Sequence, residues 1–298
     1  MKKIVIAGGT GFIGSYIAKR FDENGYKVII VSRGSKNVRW IHDDLVKTLD
    51  GAELVINLAG KSINCRHNKK NRAAILTSRL STTTAIGEAV KACSNPPKLW
   101  VNASAAGIYK PTMKRPMTED EVNLGCGFLA DVVTEWEKSF FDFALTYTRQ
   151  VALRTTVVLD KSGGALAPLV KLTRFGLGGR HGSGRQFFSW IHVADYYRIL
   201  LFLLKDSTLT GVVNCTSPKP VSNNEFLYTL RKKLHVLIGI PAPKLLIQVG
   251  SLLLGTESKL ILNSSYVYPK RLLDAGFQFN YPTLDIALLD LLRSYKAR

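Results

Sequence analysis

Residues 4–7 are a short apolar run between Lys3 and Gly8. Such a run suits a strand buried on both faces of a parallel sheet. Residues 12–24 then repeat apolar positions at helical spacing, and Gly25 supplies the stop. The β-branched stretch 27–31 predicts a second strand, and residues 53–58 a third. Residues 69–94 predict a long helix, broken at Pro96 and Pro97. A strand over 99–103, a helix over 128–144 and a strand over 149–159 follow. Strand and helix alternate throughout this half. The fold class expected is therefore α/β, a doubly wound parallel sheet with right-handed crossovers and helices on both faces. Ligands of such a sheet bind at the carboxyl ends of its strands.

The second half is less regular. Residues 176–186 form a glycine-rich basic loop, 187–193 read as a strand and 193–204 as a helix. Beyond Pro218 come three helical stretches, near 222–235, 242–253 and 283–294. The division expected is a nucleotide-binding domain over 1–217 and a small, mostly helical C-terminal domain over 218–298. Residues 160–192 would contribute to the substrate side. The most apolar late stretch, 245–254, is interrupted by Gln248, Gly250 and Ser251 and is too short to span a bilayer. It predicts an amphipathic or buried helix, and no membrane partner is expected.

The first strand-to-helix junction carries chemistry. Gly8, Gly11 and Gly14 are spaced by three. Gly8 permits the tight turn out of the strand, Gly11 lets backbone approach a pyrophosphate, and Gly14 allows close helix–strand packing. The pyrophosphate then meets free N–H groups at the positive end of the helix dipole. A glycine triplet in this strand–helix context is far more specific than the triplet alone. The second strand ends in Ser32, Arg33 and Gly34, where an NAD site usually has an acidic residue for the ribose. Arg33 instead offers a planar fork suited to a 2′-phosphate, and Ser32 adds a hydroxyl. NADP(H) is therefore the cofactor expected; the alternative is a solvated Arg33 with specificity set elsewhere, for example by Lys36. Asn57, Leu58, Ala59 and Gly60 close the third strand with small residues, either a ligand-bearing strand end or a plain turn.

Charge and cysteine usage narrow the partners. Forty-one basic residues against twenty-two acidic ones leave +19, a field that favours anions. The basic residues are scattered, with no run of five, so a phosphate-bearing ligand fits better than nucleic acid. Cys65, Cys93, Cys126 and Cys215 lack zinc or redox spacing, which suits a reduced, cytoplasmic chain. His192 and Asp195 have no neighbours at metal-ligand spacing, so no metal site is expected; Asp195 reads as a helix N-cap and His192 as a buried polar contact.

GGTGFIG, then NLAG, then a serine after the strand 99–103 resemble the short-chain dehydrogenase/reductase superfamily in its extended, epimerase-like form. The resemblance is to the atypical branch called epimerase family protein, through SRLSTTT (78–84), TEWE (134–137), GSGRQFFSWIHVAD (182–195) and a late helical domain of unknown function. It covers nearly the whole chain. It implies a Rossmann-type domain with a small C-terminal substrate domain. It also implies cofactor contacts from Gly8, Thr10, Gly11, Phe12, Ile13, Gly14, Ser32, Arg33, Leu58, Ala59, Gly60 and Arg79. Arg79 stands in the Ser- and Thr-rich part of the helix, and the alternative is a surface charge there. The long helices 69–94 and 128–144 resemble the pair through which extended relatives dimerise, so a homodimer is a further expectation.

The resemblance weakens at the chemistry. Relatives that transfer hydride use Ser or Thr with a Tyr-x-x-x-Lys pair, whose cation makes the phenol useful near neutrality. The helix 128–144 contains no tyrosine. Tyr228 with Lys232 falls too late in the chain, and Tyr266 with Lys270 is interrupted by Pro269. The catalytic candidates left are Ser104 and Tyr109, the latter with Lys110 beside it. Trp136 reads as helix packing and Glu137 as a surface charge. Arg180, His181 and Arg185 offer an anion grip in the second glycine loop. Three functions compete: an NADP(H)-dependent oxidoreductase or epimerase on a small polar, possibly anionic, substrate; a non-catalytic NADP(H)-binding sensor or scaffold; and, suggested only by the +19 charge, a nucleic-acid or membrane-surface protein built on a Rossmann scaffold.

Overall fold

The computed structural model describes residues 1–34, 36–253, 255 and 257–296. In chain order the first half contains β1 (Lys3–Ala7), α1 (Phe12–Glu23), β2 (Lys27–Val31), α2 (His42–Leu49), β3 (Leu54–Asn57), α3 (Lys69–Ala92), β4 (Leu99–Ala105), α4 (Phe128–Phe141) and β5 (Arg149–Thr155). Then come β6 (Val157–Asp160), β7 (Gly163–Gly164), α5 (Leu166–Arg174), β8 (Phe187–Phe188), β9 (Trp190–His192), α6 (Val193–Lys205) and β10 (Gly211–Cys215). Last are β11 (Val221–Ser222), α7 (Asn223–Leu234), α8 (Lys244–Leu253), α9 (Lys259–Leu262), α10 (Lys270–Asp274) and α11 (Leu284–Lys296).

Six strands form one parallel sheet in the order β2-β1-β3-β4-β5-β10. Successive side chains of a strand point to opposite faces, and the apolar runs divide accordingly. Ile4, Ile6, Leu54, Ile56, Leu99, Val101, Val151 and Leu153 pack on one side with α1 and α6. Val5, Ala7, Val55, Trp100 and Ala152 pack on the other with α2, α3 and α4. On α1 the buried residues Gly14, Ile17, Ala18 and Phe21 recur at helical spacing, and the helix ends where Tyr26 N–H returns to Phe21 O past Gly25. This is the doubly wound Rossmann-type architecture that the alternation predicts.

Strand β10 has no counterpart among the predicted elements. Its sequence, GVVNC, is short and broken by Gly211 and Asn214, and it becomes a strand because β5 offers it an edge. The single strand expected over 149–159 is two. Thr156 N–H donates to Cys215 O, and Val157 N–H to Ser189 O, so the chain leaves the main sheet and joins β9 and β7. A second core lies here. It combines Leu159, Leu166, Val170 and Trp190 with Phe226, Leu230, Leu288 and Leu292, so residues before 218 and after it share one interior.

At the head of α6 His192 is the buried polar contact expected, 3.3 Å from Asp290, but the N-cap expected of Asp195 is also its role. His192, not Asp195, is the N-cap: its Nδ1 accepts the Ala194 N–H at 3.1 Å. Asp195 stands in the first turn, fully buried. It accepts the backbone N–H groups of Asn280 (3.0 Å) and Tyr281 (2.8 Å) and pairs with Arg198.

Candidate functional site

The turn after β1 is shaped by contact with the loop after β3. Gly8 has φ +77°, and a Cβ there would lie 2.8 Å from Ala59 N and 2.9 Å from the Leu58 carbonyl carbon. A Cβ on Gly14 would lie 2.4 Å from Gly8 O and 2.7 Å from Gly9 Cα, so only glycine lets α1 start this close to the turn. Gly9 belongs to the same constraint and is absent from the predicted set: its Cβ would press on both branches of Ile30 at 3.0 Å. No side chain caps α1. Its first amides therefore present the donors and positive dipole end that favour a diphosphate. Thr10 and Gly11 are exposed at that end. Phe12 turns its ring onto Gly163 and Gly164, and Ile13 packs against the core, so both offer the loop their backbones.

At the end of β2, Ser32 Oγ accepts from Gly34 N–H (3.1 Å) and Asn37 Nδ2 (2.8 Å), which shapes the turn. Arg33 beside it is exposed, and no hydrogen bond joins it to the described residues. Arg79 is not a surface charge. Its Nη1 donates to Lys61 O and Ile75 O at 3.0 Å each, and its guanidinium lies 5.0 Å from the Trp136 ring, against Gly60. Burial lowers its pKa. The strand ends beneath are tied by polar groups that the predicted set lacks. Asn57 Nδ2 donates to Asn102 Oδ1 at 2.8 Å, Asn57 Oδ1 accepts the Ala59 N–H, and Trp136 Nε1 donates to Thr83 Oγ1 at 2.9 Å.

Ser104 and Tyr109 are linked by a buried charge pair. Glu137 is not a surface charge: it is 8% exposed and takes both arms of Arg154, Nε to Oε1 at 2.8 Å and Nη2 to Oε2 at 2.7 Å. Ser104 Oγ donates to Glu137 Oε1 at 2.5 Å. On the far side Arg154 Nη1 donates to Tyr109 Oη at 2.9 Å, and Tyr109 donates to Asn214 Oδ1 at 2.8 Å. Burial opposes the Arg154 charge, but the hydrogen bonds and attraction of Glu137 outweigh it and hold the guanidinium above its ordinary range. Burial likewise raises the Tyr109 phenol, against the lowering effect of Arg154 and Asn214. The cation hydrogen-bonded to Tyr109 is thus Arg154; Lys110 is exposed.

A cleft of about 330 Å³ opens beside Tyr109. Its walls are the turn after β4, the start of α4 at Gly127 and the segment 257–267. Arg72, Lys110 and Lys259 line it with one carboxylate, Glu257, which accepts the His67 N–H at 2.8 Å. Ser104 is not on the wall. Arg180, His181 and Arg185 lie outside the cleft, and His181 N–H is taken by Asn223. Tyr228 is exposed on α7, and Lys270 pairs with Asp120 and Asp274, so neither YxxxK match assembles a pair. Among the described residues no His, Cys, Asp and Glu cluster could hold a metal.

Residues 4–125 match the NAD dependent epimerase/dehydratase family, and residues 242–291 match a domain of unknown function, DUF1731. The chain is 38% identical to Epimerase family protein SSP1921 of Staphylococcus saprophyticus, over 98% of this chain and all of that one. Among solved structures it is similar to human epimerase family protein SDR39U1 (isoform 2) with NADPH. That likeness has a TM-score of 0.88 at 33% identity, covering 97% of this chain and 98% of the human one. A nucleoside-diphosphate sugar epimerase from Corynebacterium glutamicum superposes with a TM-score of 0.78 at 26% identity, over 98% of this chain and 58% of its own.

Proposed function

The chain belongs to the NAD-dependent epimerase/dehydratase family, and from that premise we propose that it is an NADP(H)-binding epimerase- or reductase-like enzyme acting on a small, polar, anionic substrate. The observation that carries this reading is the glycine turn closed on Leu58 and Ala59, with the exposed Arg33 fork at the next strand end. The amides of residues 10–14 hold the diphosphate, Arg33 and Ser32 the 2′-phosphate, and Ala59, Gly60 and Arg79 flank the remainder. The human relative's structure with NADPH supports the choice of NADP(H) over NAD(H). The cofactor's contribution there is a transferable hydride.

Tyr109 is the proton donor. Burial keeps its phenol protonated, and the residue lines the cleft. Donation exchanges the Asn214 hydrogen bond for one to the substrate oxygen, and Arg154 stabilises the phenolate left behind. Ser104 acts through Glu137, fixing the carboxylate that orients Arg154. Arg72, Lys110 and Lys259 favour a substrate phosphate or carboxylate. The four free thiols accord with a reducing cytoplasm, and burial pushes the Cys93 thiol up to about 11, out of reactive range.

A second reading, an NADP(H)-binding sensor or scaffold without turnover, is favoured by one observation: the Ser104 and Tyr109 hydroxyls are both hydrogen-bonded internally. Calorimetry with NADPH and NADH tests the shared premise. NADPH oxidation against carbonyl compounds and nucleotide sugars separates the two. Turnover that falls roughly 100-fold or more in Tyr109→Phe, the scale of a lost general acid, supports the enzyme. Turnover untouched by that change removes Tyr109 from the chemistry, and NADPH binding without turnover on any of them leaves the sensor.

A further inference from the structure

The C-terminal half carries an exposed apolar surface on α8 and the segments laced to it. On α8, Leu245, Leu246, Val249 and Leu252 face outward, at one-face helical spacing, while Ile247 and Ser251 turn inward. Leu245 is 72% exposed. The loop leading into α8 adds Leu237, which is 95% exposed. That loop is laced to the segment after α5: Ile240 N–H donates to Gly176 O at 2.8 Å, Ala242 N–H to Arg180 O at 3.0 Å, and Gly182 N–H to Ala242 O at 2.8 Å. The same segment presents Phe175, 71% exposed. Scattered exposed apolar residues are ordinary, but a joined patch of this kind marks a surface made for contact.

Charge says what it contacts. Residues 161–194 hold five Lys or Arg, residues 226–256 hold four, and neither stretch holds an Asp or Glu. Lys171 lies four residues from Phe175, and Lys244 opens α8 beside Leu245; both are exposed. A second copy of the chain joined through this face by a twofold axis would set these two basic stretches, which carry no acid of their own, against themselves. Nucleic acid would satisfy the cations but offer no hydrocarbon to Leu237, Phe175 and Leu245. An anionic bilayer satisfies both requirements at once. The ten residues of α8 are too few to span it, and no helix among the described residues is long and apolar enough to do so.

We infer that this face docks peripherally on an anionic lipid bilayer, with α8 and its preceding loop in the headgroup–acyl boundary and Lys171 and Lys244 among the headgroups. The segment 257–267 lies four residues beyond the end of α8 in sequence and forms a wall of the cleft, so docking sets the cleft near the membrane. The inference stands apart from the assignment of NADP(H).

The test is flotation of the purified full chain with vesicles of phosphatidylcholine containing about one third phosphatidylglycerol, against phosphatidylcholine alone. The chain is expected to float with the anionic vesicles only, and to be released as salt is raised. L245E/L246E, at solvent-facing positions, is expected to lower partitioning roughly tenfold or more, and K171E/K244E to do likewise on anionic vesicles. An unchanged melting temperature shows that each variant is folded. Equal flotation on neutral vesicles, no flotation on either, unchanged flotation of L245E/L246E, or a dimer in solution that L245E/L246E dissolves would each overturn the proposal.

Discussion

Removing Glu137 probes the charge ladder most directly. Glu137→Ala leaves the Arg154 guanidinium, 5% exposed, facing a cavity in place of its carboxylate. With charge centres about 4 Å apart and an effective dielectric near 20, the lost attraction is roughly 4 kcal/mol. Breaking one side of such a buried pair is destabilising by about 3–5 kcal/mol. For a chain of this size each kcal/mol moves the melting temperature by about 2–4 °C, so a fall of roughly 6–20 °C is expected. The companion variant replaces both members, Glu137→Leu with Arg154→Met. It restores apolar packing without a stranded charge and is expected to recover most of that loss, because desolvation of the pair largely cancels its attraction. The assay is a double-mutant cycle of Glu137→Leu, Arg154→Met and their combination by reversible denaturant unfolding, with Glu137→Ala measured alongside. A loss under about 1 kcal/mol for Glu137→Ala, or additive losses in the double variant, would refute the reasoning that these two charges are desolvated and mutually dependent.

Gly14→Ala places a methyl carbon 2.4 Å from Gly8 O. It is expected to abolish NADPH binding in calorimetry and to lower stability by about 1–3 kcal/mol. Arg33→Ala is expected to weaken NADPH by roughly 10–100-fold, the scale of a charge-assisted hydrogen bond of about 1.5–3 kcal/mol, and to leave NADH nearly unchanged; equal losses would remove the 2′-phosphate assignment. Burial raises the Glu119 carboxyl, against hydrogen bonds from the Asn214 and Arg271 amides. A carboxyl raised on folding favours the protonated form. Its stabilising contribution is therefore complete below the unfolded pKa and declines as pH rises through the folded one. The melting temperature of the parent relative to Glu119→Gln is expected to fall as pH is raised from about 4 toward neutrality; an opposite trend would contradict the burial argument.

Much of the nucleotide half was legible because its signals are local. A strand buried on both faces must be apolar throughout, and a helix starting against that strand requires glycine where a methyl carbon would strike backbone. Residues 4–14 satisfy both demands within one short window. The ladder was not legible in that way. Its members are drawn from β4, α4, β5 and β10 and the turn after β4, and no spacing relates them. Two traces were nonetheless present. Glu137 shares a helical stripe with the buried Ala130 and Val133, and Arg154 follows the apolar run Val151 to Leu153 in a central strand. A charge on a buried stripe needs a partner, and these two are each other's. Strand β10 and the His192 cap were missed for a different reason: each depends on an edge or an angle that tertiary structure supplies.

The Asp195 carboxylate has a bearing on how the chain is built. The backbone amides it accepts belong to residues 280 and 281, some eighty-five positions downstream. During synthesis α6 can lie on the sheet long before those amides exist, leaving a buried anion with only Arg198 for company. The nucleotide half therefore reaches its final stability late, when the last helices arrive. The terminal region serves as a completing piece of the domain that precedes it as well as a wall of the cleft.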